Sequence, residues 1–567
     1  MMKRENKLIV AAVVLPLLVG AFFDQKSAYK LSTMHFLVLT TLMVTFNGML
    51  LLQRKDWQER KLALQCSGMA FFTICLIRCC CVLREAKEAG GILRISLGVL
   101  LALVLAAFFL LLIKSEKGVT ENVVTLVIFA ALLVRIFYVV MTPASLFQND
   151  TTDFYPDCYG HLGYVYQLFT YGKLPDVDPT TAYQFYHPPL HYWVSVVFLK
   201  MFGLLGLLPK EQLDWNEILQ ILPLIYTTIM LVYIDKIGKQ MKLSCEARFT
   251  VVCFAGFLPY SIMMGGALNN DPLSLLLAVM CVYYTFSWYD NPDRRGIIKM
   301  ALCIGCAMMT KISAALVAPA MAVMMLQRAW KDRGQWKDYL KQFICFGLVA
   351  FPLGLWHSVY CYVKWEMPFG YAYPVEPDAP SFIGMYDIRS RFFDFHGAFD
   401  FLAISMYHTD GYADHNIPAS LVKYATFGES TYYQTGRLTN ILGSGMFWVN
   451  MVLFLLMAAA FVAWCCIKDG RGMQKVFLLA VAAVSLYAYA KFCVRYTHIC
   501  SMNIRYIMVA VYAGFIVIAA AASGLQERIA GKSAAGGRIS KGILVAVPVL
   551  YALWAVVLKA GMAVVLP

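Results

Sequence analysis

The chain is written in long apolar runs broken by short polar segments. Apolar runs fall at 8–23, 34–52, 62–83, 92–113, 122–142, 218–235, 249–268, 272–289, 297–309, 312–327, 342–362, 441–466, 476–490, 504–522 and 542–562. A helix of about 20 residues rises about 30 Å, the thickness of a bilayer's hydrocarbon core, so the pattern predicts about fifteen membrane-spanning helices. The runs are continuous and lack the alternation of a transmembrane β-barrel. The expected fold class is therefore an all-α polytopic membrane protein. One further stretch, 189–207, is apolar enough to count as a span. Counting it would place the basic segment 235–248 on the opposite side from the other basic segments. It is read instead as a helix lying on the membrane surface, anchored by Tyr192 and Trp193.

Composition agrees with this reading. Of 567 residues, 60% are hydrophobic and 14% charged, with a mean hydropathy of +0.63; soluble domains are nearer half apolar and about a quarter charged. The net charge of +14 does not point to nucleic acid. Lys and Arg cluster in 1–7, 53–61, 235–248, 290–299, 328–341, 468–475 and 528–541, and alternating spans put all of these on one side. By the positive-inside rule that side is cytoplasmic, with the N-terminus. The first residues lack a small-x-small cleavage site and a second apolar run follows closely, so they read as a retained first span. Most of the 17 cysteines sit inside apolar runs, such as Cys79-Cys80-Cys81 and Cys465-Cys466, where they act as small hydrophobes.

Groups able to do chemistry concentrate between residues 148 and 193, QNDTTDFYPDCYGHLGYVYQLFTYGKLPDVDPTTAYQFYHPPLHYW. Asp150, Asp153 and Asp157 are followed by His161, His187 and His191, the last two flanking a rigid Pro188-Pro189 step. Carboxylates and imidazoles are the usual proton-moving side chains. Asn270 and Asp271 stand at the start of a later apolar run, before Pro272. That is the arrangement of a helix N-terminus, so capping is the structural alternative to a role in a site. Lys311 interrupts a long apolar stretch. An unpaired Lys at mid-bilayer costs roughly 2.5–3.5 kcal/mol, which argues for a chain break turned toward a polar cavity, with snorkelling to an interface as the alternative. Arg505 and Tyr506 open another run. The stretch 365–440, aromatic-rich in FGYAYPVEPDAPSF and SRFFDFHGAFDF, is long for a connector and is expected to cover a site. Its His396, His408, Asp410 and His415 fit no standard metal-ligand spacing.

Taken in order, these motifs resemble a known family. Asp157 and His161 in an external loop, Gly172-Lys173-Leu174-Pro175, Pro188-Pro189-Leu190 with Tyr192-Trp193, Asn270-Asp271-Pro272-Leu273, Met309-Thr310-Lys311 and Ile504-Arg505-Tyr506 are similar to GT-C glycosyltransferases. More specifically, they resemble the branch that contains bacterial aminoarabinose transferase and the protein O-mannosyltransferases. The resemblance covers roughly 118–330, with the further motif near 505; residues 1–117 read as an N-terminal helical membrane segment of unknown role. It implies a GT-C-type bundle of about eleven spans over 118–567, preceded by about four extra spans. The region 143–217 becomes the first external catalytic loop and 365–440 a second long external loop.

The resemblance further implies transfer of a sugar from a polyprenyl-phosphate donor to an acceptor hydroxyl of a protein, glycolipid or wall polymer, with inversion. Its catalytic carboxylate falls on Asp157, although the acidic neighbour of the family is replaced here by Cys158. Its second acidic position falls on Asp271. Lys311, Arg505 and Tyr506 are the implied donor-phosphate ligands, and Asp153, His161, His187, His191 and Asn270 the implied substrate contacts. No cofactor is required by this reading; a divalent Mn or Mg ion remains an option. The expected partners are the lipid-linked donor, the acceptor and membrane lipids, and the expected location is a bacterial plasma membrane with the site external. The rival reading is a transporter or flippase. That reading calls for repeat symmetry and midplane charges; the sequence carries no visible repeat.

Overall fold

The computed structural model describes residues 118–141, 160–204, 215–374, 382–399, 415–428 and 437–563, with a few isolated positions besides. The four spans expected before residue 118 lie outside the described residues, as do Asp150, Asp153, Asp157, His408 and Asp410. Among the described residues every regular element is helical, apart from an isolated bridge between Phe382 and His498.

The helices used below are α1 Glu121–Met141, α2 Gly160–Tyr171, α3 Leu190–Leu204, α4 Ile221–Gln240, α5 Cys245–Phe257, α6 Pro259–Met263, α7 Asp271–Asp290 and α8 Arg294–Thr310. They continue as α9 Ala318–Lys331, α10 Trp336–Trp365, α11 Ile417–Phe427, α12 Arg437–Cys465, α13 Gly472–Arg495, α14 Met508–Lys532 and α15 Ala534–Ala563. Among the described residues nine helices are long and apolar enough to cross a membrane, or ten when α5 and α6 count as one broken span. The protein is a multi-pass membrane protein. Each apolar run predicted after residue 118 coincides with a helical element.

Two departures from straight spans have local causes. The run 249–268 is broken by 65° between α5 and α6. Pro259 lacks an N–H and clashes with a helical residue before it, so Leu258 leaves the helix at φ −51° and ψ 126°. The second departure is at Lys311. It ends α8 in extended conformation, φ −157° and ψ 121°, and a 3₁₀ segment then leads into α9. The chain reverses there: Tyr289 at the far end of α7 donates to Gln327 near the far end of α9, 2.6 Å away. α7 and α9 thus start together and finish together.

The basic ends are tied by an ion cluster. Arg248 of α5 donates to both carboxylate oxygens of Glu121 in α1, at 2.5 and 2.8 Å, and to Asp235 of α4 at 2.8 Å. Lys239 lies 2.7 Å from Glu121 and 3.1 Å from Asp235. Gly238 is required beside it, because a Cβ there would sit 2.8 Å from the Arg248 Cγ.

α3 has 15 residues, a rise of about 22 Å, which is short of a full span. Its outward stripe is Trp193, Val197, Met201 and Leu204. Tyr192 corrects the anchor role expected of it: the side chain is fully buried and hydrogen-bonded. Trp193 stacks on Trp356 of α10, with ring centroids 5.9 Å apart. Helical periodicity explains the split. Adjacent residues point about 100° apart, so only one of the two can face outward.

Candidate active site

The ends of the bundle away from the ion cluster carry the candidate chemistry. Asp271 is the first residue of α7; its own N–H is held by Asn269 Oδ1 at 3.0 Å. The carboxylate does not cap the helix. It accepts from Lys311 Nζ through Oδ1, and Arg505 Nε lies 3.7 Å from Oδ2. The three side chains are only 11–13% exposed. Each is delivered by a chain break: the start of α7, the extended residue after α8, and the 3₁₀ turn Ile504–Ile507 before α14. Breaks release backbone and allow polar side chains to leave a helix face and converge.

Tyr506 supplies the floor under these charges. Lys311 Nζ lies 5.0 Å from its ring centroid and the Arg505 guanidinium 5.1 Å. Arg505 Nη2 also donates to the Tyr506 hydroxyl at 3.2 Å. Asn503 Oδ1 accepts from the Arg505 backbone N–H at 3.0 Å, fixing the turn. Asn270 donates to the Thr310 carbonyl at 3.0 Å, locking the start of α7 to the end of α8. Asn270 is therefore engaged with backbone, next to the charges. Two cations and one carboxylate leave the group with a net charge of +1, a setting suited to an anion.

The histidines stand beside it. His161 Nδ1 and the Tyr192 hydroxyl are 2.8 Å apart. The His161 and His187 rings are parallel within 7°, with centroids 5.9 Å apart. Burial pushes the His187 imidazole well below its ordinary pKa, and the nearby charges of Lys311, His161 and Arg505 push the same way. His191, buried at the start of α3, is lowered to about 3 by burial, then by His161. His187 and His191 therefore line this side as uncharged imidazoles at neutral pH. His357 of α10 also lies near His187. It was missed in the sequence because a His inside an apolar run carries no local sign of which wall it faces.

Residues 176–186 and 364–371 meet over this region. Lys364 at the end of α10 pairs with Asp176 at 2.5 Å, holding the Asp176 carboxyl below its usual range through that hydrogen bond. Tyr371 donates to the Thr180 carbonyl at 3.3 Å, and its ring meets Tyr186 edge-on, with centroids 5.6 Å apart. Farther along, Ile383 N–H donates to the Thr497 carbonyl at 3.1 Å, Arg391 to the Cys493 carbonyl at 2.9 Å, and Tyr424 to the Ile499 carbonyl at 2.9 Å. The described parts of 365–440 thus pack, through Ile383, Arg391 and Tyr424, on the segment that leads to Arg505. His415 is 3.2 Å from Asp394 and stacks on Tyr386, while His396 contributes its backbone N–H to Asp394 at 3.0 Å.

Among the described residues no three His, Cys, Asp or Glu side chains form a metal-binding group. Asp271 already faces Lys311 and Arg505, so a divalent ion would have to displace a cation there; that carboxylate does not fit a metal. Of the sequence candidates, Asp271, Lys311, Arg505, Tyr506, His161, His187, His191 and Asn270 gather in one region. Asp157 and Asp153 lie outside the described residues.

Residues 186–356 match the family model described as dolichyl-phosphate-mannose-protein mannosyltransferase. No curated protein sequence matches the chain. Among solved structures, the apo oligosaccharyltransferase of Archaeoglobus fulgidus aligns with a TM-score of 0.46 and 12% identity, over 78% of this chain and 56% of that one. The chain therefore spans little more than half the length of that enzyme. ArnT from Cupriavidus metallidurans, bound to undecaprenyl phosphate, aligns with a TM-score of 0.32 and 15% identity, over 72% of this chain and 80% of that one. The matched segment carries His187, His191, Asn270, Asp271 and Lys311, and it bears out the resemblance that those motifs imply: this chain is similar to the GT-C superfamily of membrane glycosyltransferases.

Proposed function

We propose that the protein moves a sugar from a polyprenyl-phosphate donor to an acceptor hydroxyl at the membrane face carrying Asp271, Lys311 and Arg505, the external face by the positive-inside rule. The observation that carries this reading is the convergence of Lys311 and Arg505 on the two oxygens of Asp271, over Tyr506. A phosphate leaving group departs as a stable anion. It needs cations to receive its charge rather than a strong general acid. Arg505 offers a planar fork and Lys311 a point charge. Asp271 holds both in place before the donor arrives, a positioning role that its two ion pairs favour over proton abstraction.

The base that takes the acceptor proton is Asp157 in this reading, worth roughly 10²–10⁴ in rate. In-line attack on the anomeric carbon breaks its bond to the phosphate oxygen and forms the new bond from the acceptor oxygen, inverting the centre. His187 and His191 line the acceptor side as neutral groups beside His161, and the loop 365–440 sets acceptor choice. The transporter reading has less support: the polar groups gather where helices begin and end, not along their middles.

The test is transfer of radiolabel from a panel of polyprenyl-phosphate sugars by the purified full-length protein, beside Asp157→Asn and Lys311→Met. Label should move with wild type and fall at least about 100-fold in Asp157→Asn. Activity surviving in Asp157→Asn moves the base elsewhere. Failure of every donor to bind or turn over sinks the glycosyltransferase reading.

A further inference from the structure

The basic ends of α7, α8 and α9 enclose a cleft of about 630 Å³, lined by Tyr283, Tyr284, Trp288, Arg295, Lys299 and Arg328 among others. It lies at the opposite end of α7 from Asp271. α7 has 20 residues, so the two ends are about 30 Å apart. The cleft is therefore separate from the site described above.

We propose that this cleft and the groove running from it bind an anionic phospholipid from the leaflet on the basic side, with its phosphate held by Arg295 and Lys299. The burial pattern traces the groove. α7 packs against both α4 and α8, and its half-buried residues Leu277, Met280 and Tyr284 follow one helical stripe between them. On α8, Arg295, Lys299 and Leu302 are all exposed at i, i+4 and i+7, so cations lead into an apolar position on one face. On α4, Ile225 and Ile229 are exposed, and nearer the basic end the Lys236 ammonium lies 4.2 Å from the Tyr233 ring centroid and 5.6 Å from that of Tyr283, which lines the cleft.

Charge argues for an anion. Among the described residues no ion pair joins Arg295 or Lys299 to an acid. Asp290 and Asp293 also line the cleft, where they accept from the Gln240 amide and from the Gly296 N–H at 2.7 Å, so the lining sets three cations, Arg295, Lys299 and Arg328, against two acids. Lys299 lies 5.8 Å from the Tyr284 ring centroid, a contact that aims it across the cleft. The order of residues argues for a lipid over a free phosphate ester: the cations sit at the bundle's end and the apolar walls lie deeper, matching a headgroup and its chains.

The test uses the full-length protein in mixed micelles, with retention of dioleoyl phosphatidylglycerol against dioleoyl phosphatidylcholine read by native mass spectrometry. Wild type should retain the anionic lipid preferentially. Arg295→Gln with Lys299→Gln, both exposed substitutions, should weaken that retention by roughly 10- to 30-fold at an unchanged thermal midpoint. Arg333→Gln with Lys337→Gln, the same charge change at the same end but outside the cleft, should leave it intact. Equal loss in both pairs would mean diffuse attraction and would overturn the site. Equal retention of both lipids would overturn it as well. Displacement of phosphatidylglycerol by millimolar inorganic phosphate would reassign the cleft to a soluble phosphate ester.

Discussion

Lys311 and Arg505 reach opposite oxygens of Asp271, one through a hydrogen bond and the other across 3.7 Å. They come from helix breaks far apart in the chain, and Asp271 is the carboxylate that both of them meet. The carboxylate organises both cations. Asp271→Asn should therefore lower stability by about 3 kcal/mol, because it leaves two largely buried cations facing each other. Adding Lys311→Met should restore much of the thermal midpoint without restoring transfer. A double-mutant cycle read by both thermal melt and turnover checks this. Recovery of turnover in the double variant would remove Lys311 from the site.

Arg505→Lys keeps the charge but loses the fork that pairs with Asp271 and Tyr506. The expected result is a drop in kcat of about 10-fold or more with a smaller change in donor KM, since the interaction strengthens as the leaving phosphate gains charge. Steady-state kinetics with the preferred donor decide it. An unchanged kcat would leave Arg505 as an interface residue.

The histidines give a pH dependence with a definite sign. Burial holds the His191 imidazole at about 3 and His187 well below its ordinary value, whereas the unfolded chain titrates near 6.5. Between those values the unfolded state binds more protons. Their contribution to stability is thus complete above about pH 6.5 and declines as pH falls toward the folded values. The thermal midpoint should fall between pH 7 and pH 5, and His191→Gln should flatten part of that fall. A midpoint insensitive to pH in wild type would place these rings in contact with water.

Tyr192→Phe separates a buried partner from a membrane anchor. The hydroxyl lies 2.8 Å from His161 Nδ1, and losing it leaves a buried ring nitrogen without that bond, at a cost of about 1–2 kcal/mol. A thermal melt should show that loss. An interfacial anchor would tolerate Phe with little change.

At the basic end, Arg248→Met should destabilise by about 3 kcal/mol, because Asp235 is left buried beside it with one partner fewer. Glu121→Gln should cost less than about 1 kcal/mol, since the Glu121 side chain is 56% exposed. Donor KM should stay unchanged in both variants, a point that substrate titration settles.

Much of this was legible in the sequence because it rests on local signals. Twenty-residue apolar runs gave the spans, Pro272 after Asp271 marked a helix start, and a lone Lys311 in apolar surroundings marked a break. What escaped depends on pairing at a distance. Nothing near Arg248 in sequence announces Glu121, and nothing around His357 says that it comes near His187. Tyr192 and Trp193 read as equivalent interfacial aromatics, yet one helical step of about 100° buries the first and leaves the second facing outward. The 65° bend at Pro259 was hidden because an apolar run looks the same whether its helix is straight or broken.

The reversal at Lys311 has a consequence for biogenesis. α8 and α9 form a hairpin whose tip is an ammonium, so insertion from the basic side must carry that charge across the whole bilayer, at roughly 2.5–3.5 kcal/mol if it travels unpaired. Chain order eases the passage. Asp271 opens α7, so it is synthesised earlier and stands on the far side when the tip arrives, while Arg505 comes later and closes the cluster. Asp271 acts in this sequence as a landing point. Its loss should then appear first as hairpins stalled during insertion, before any mature enzyme exists to be assayed.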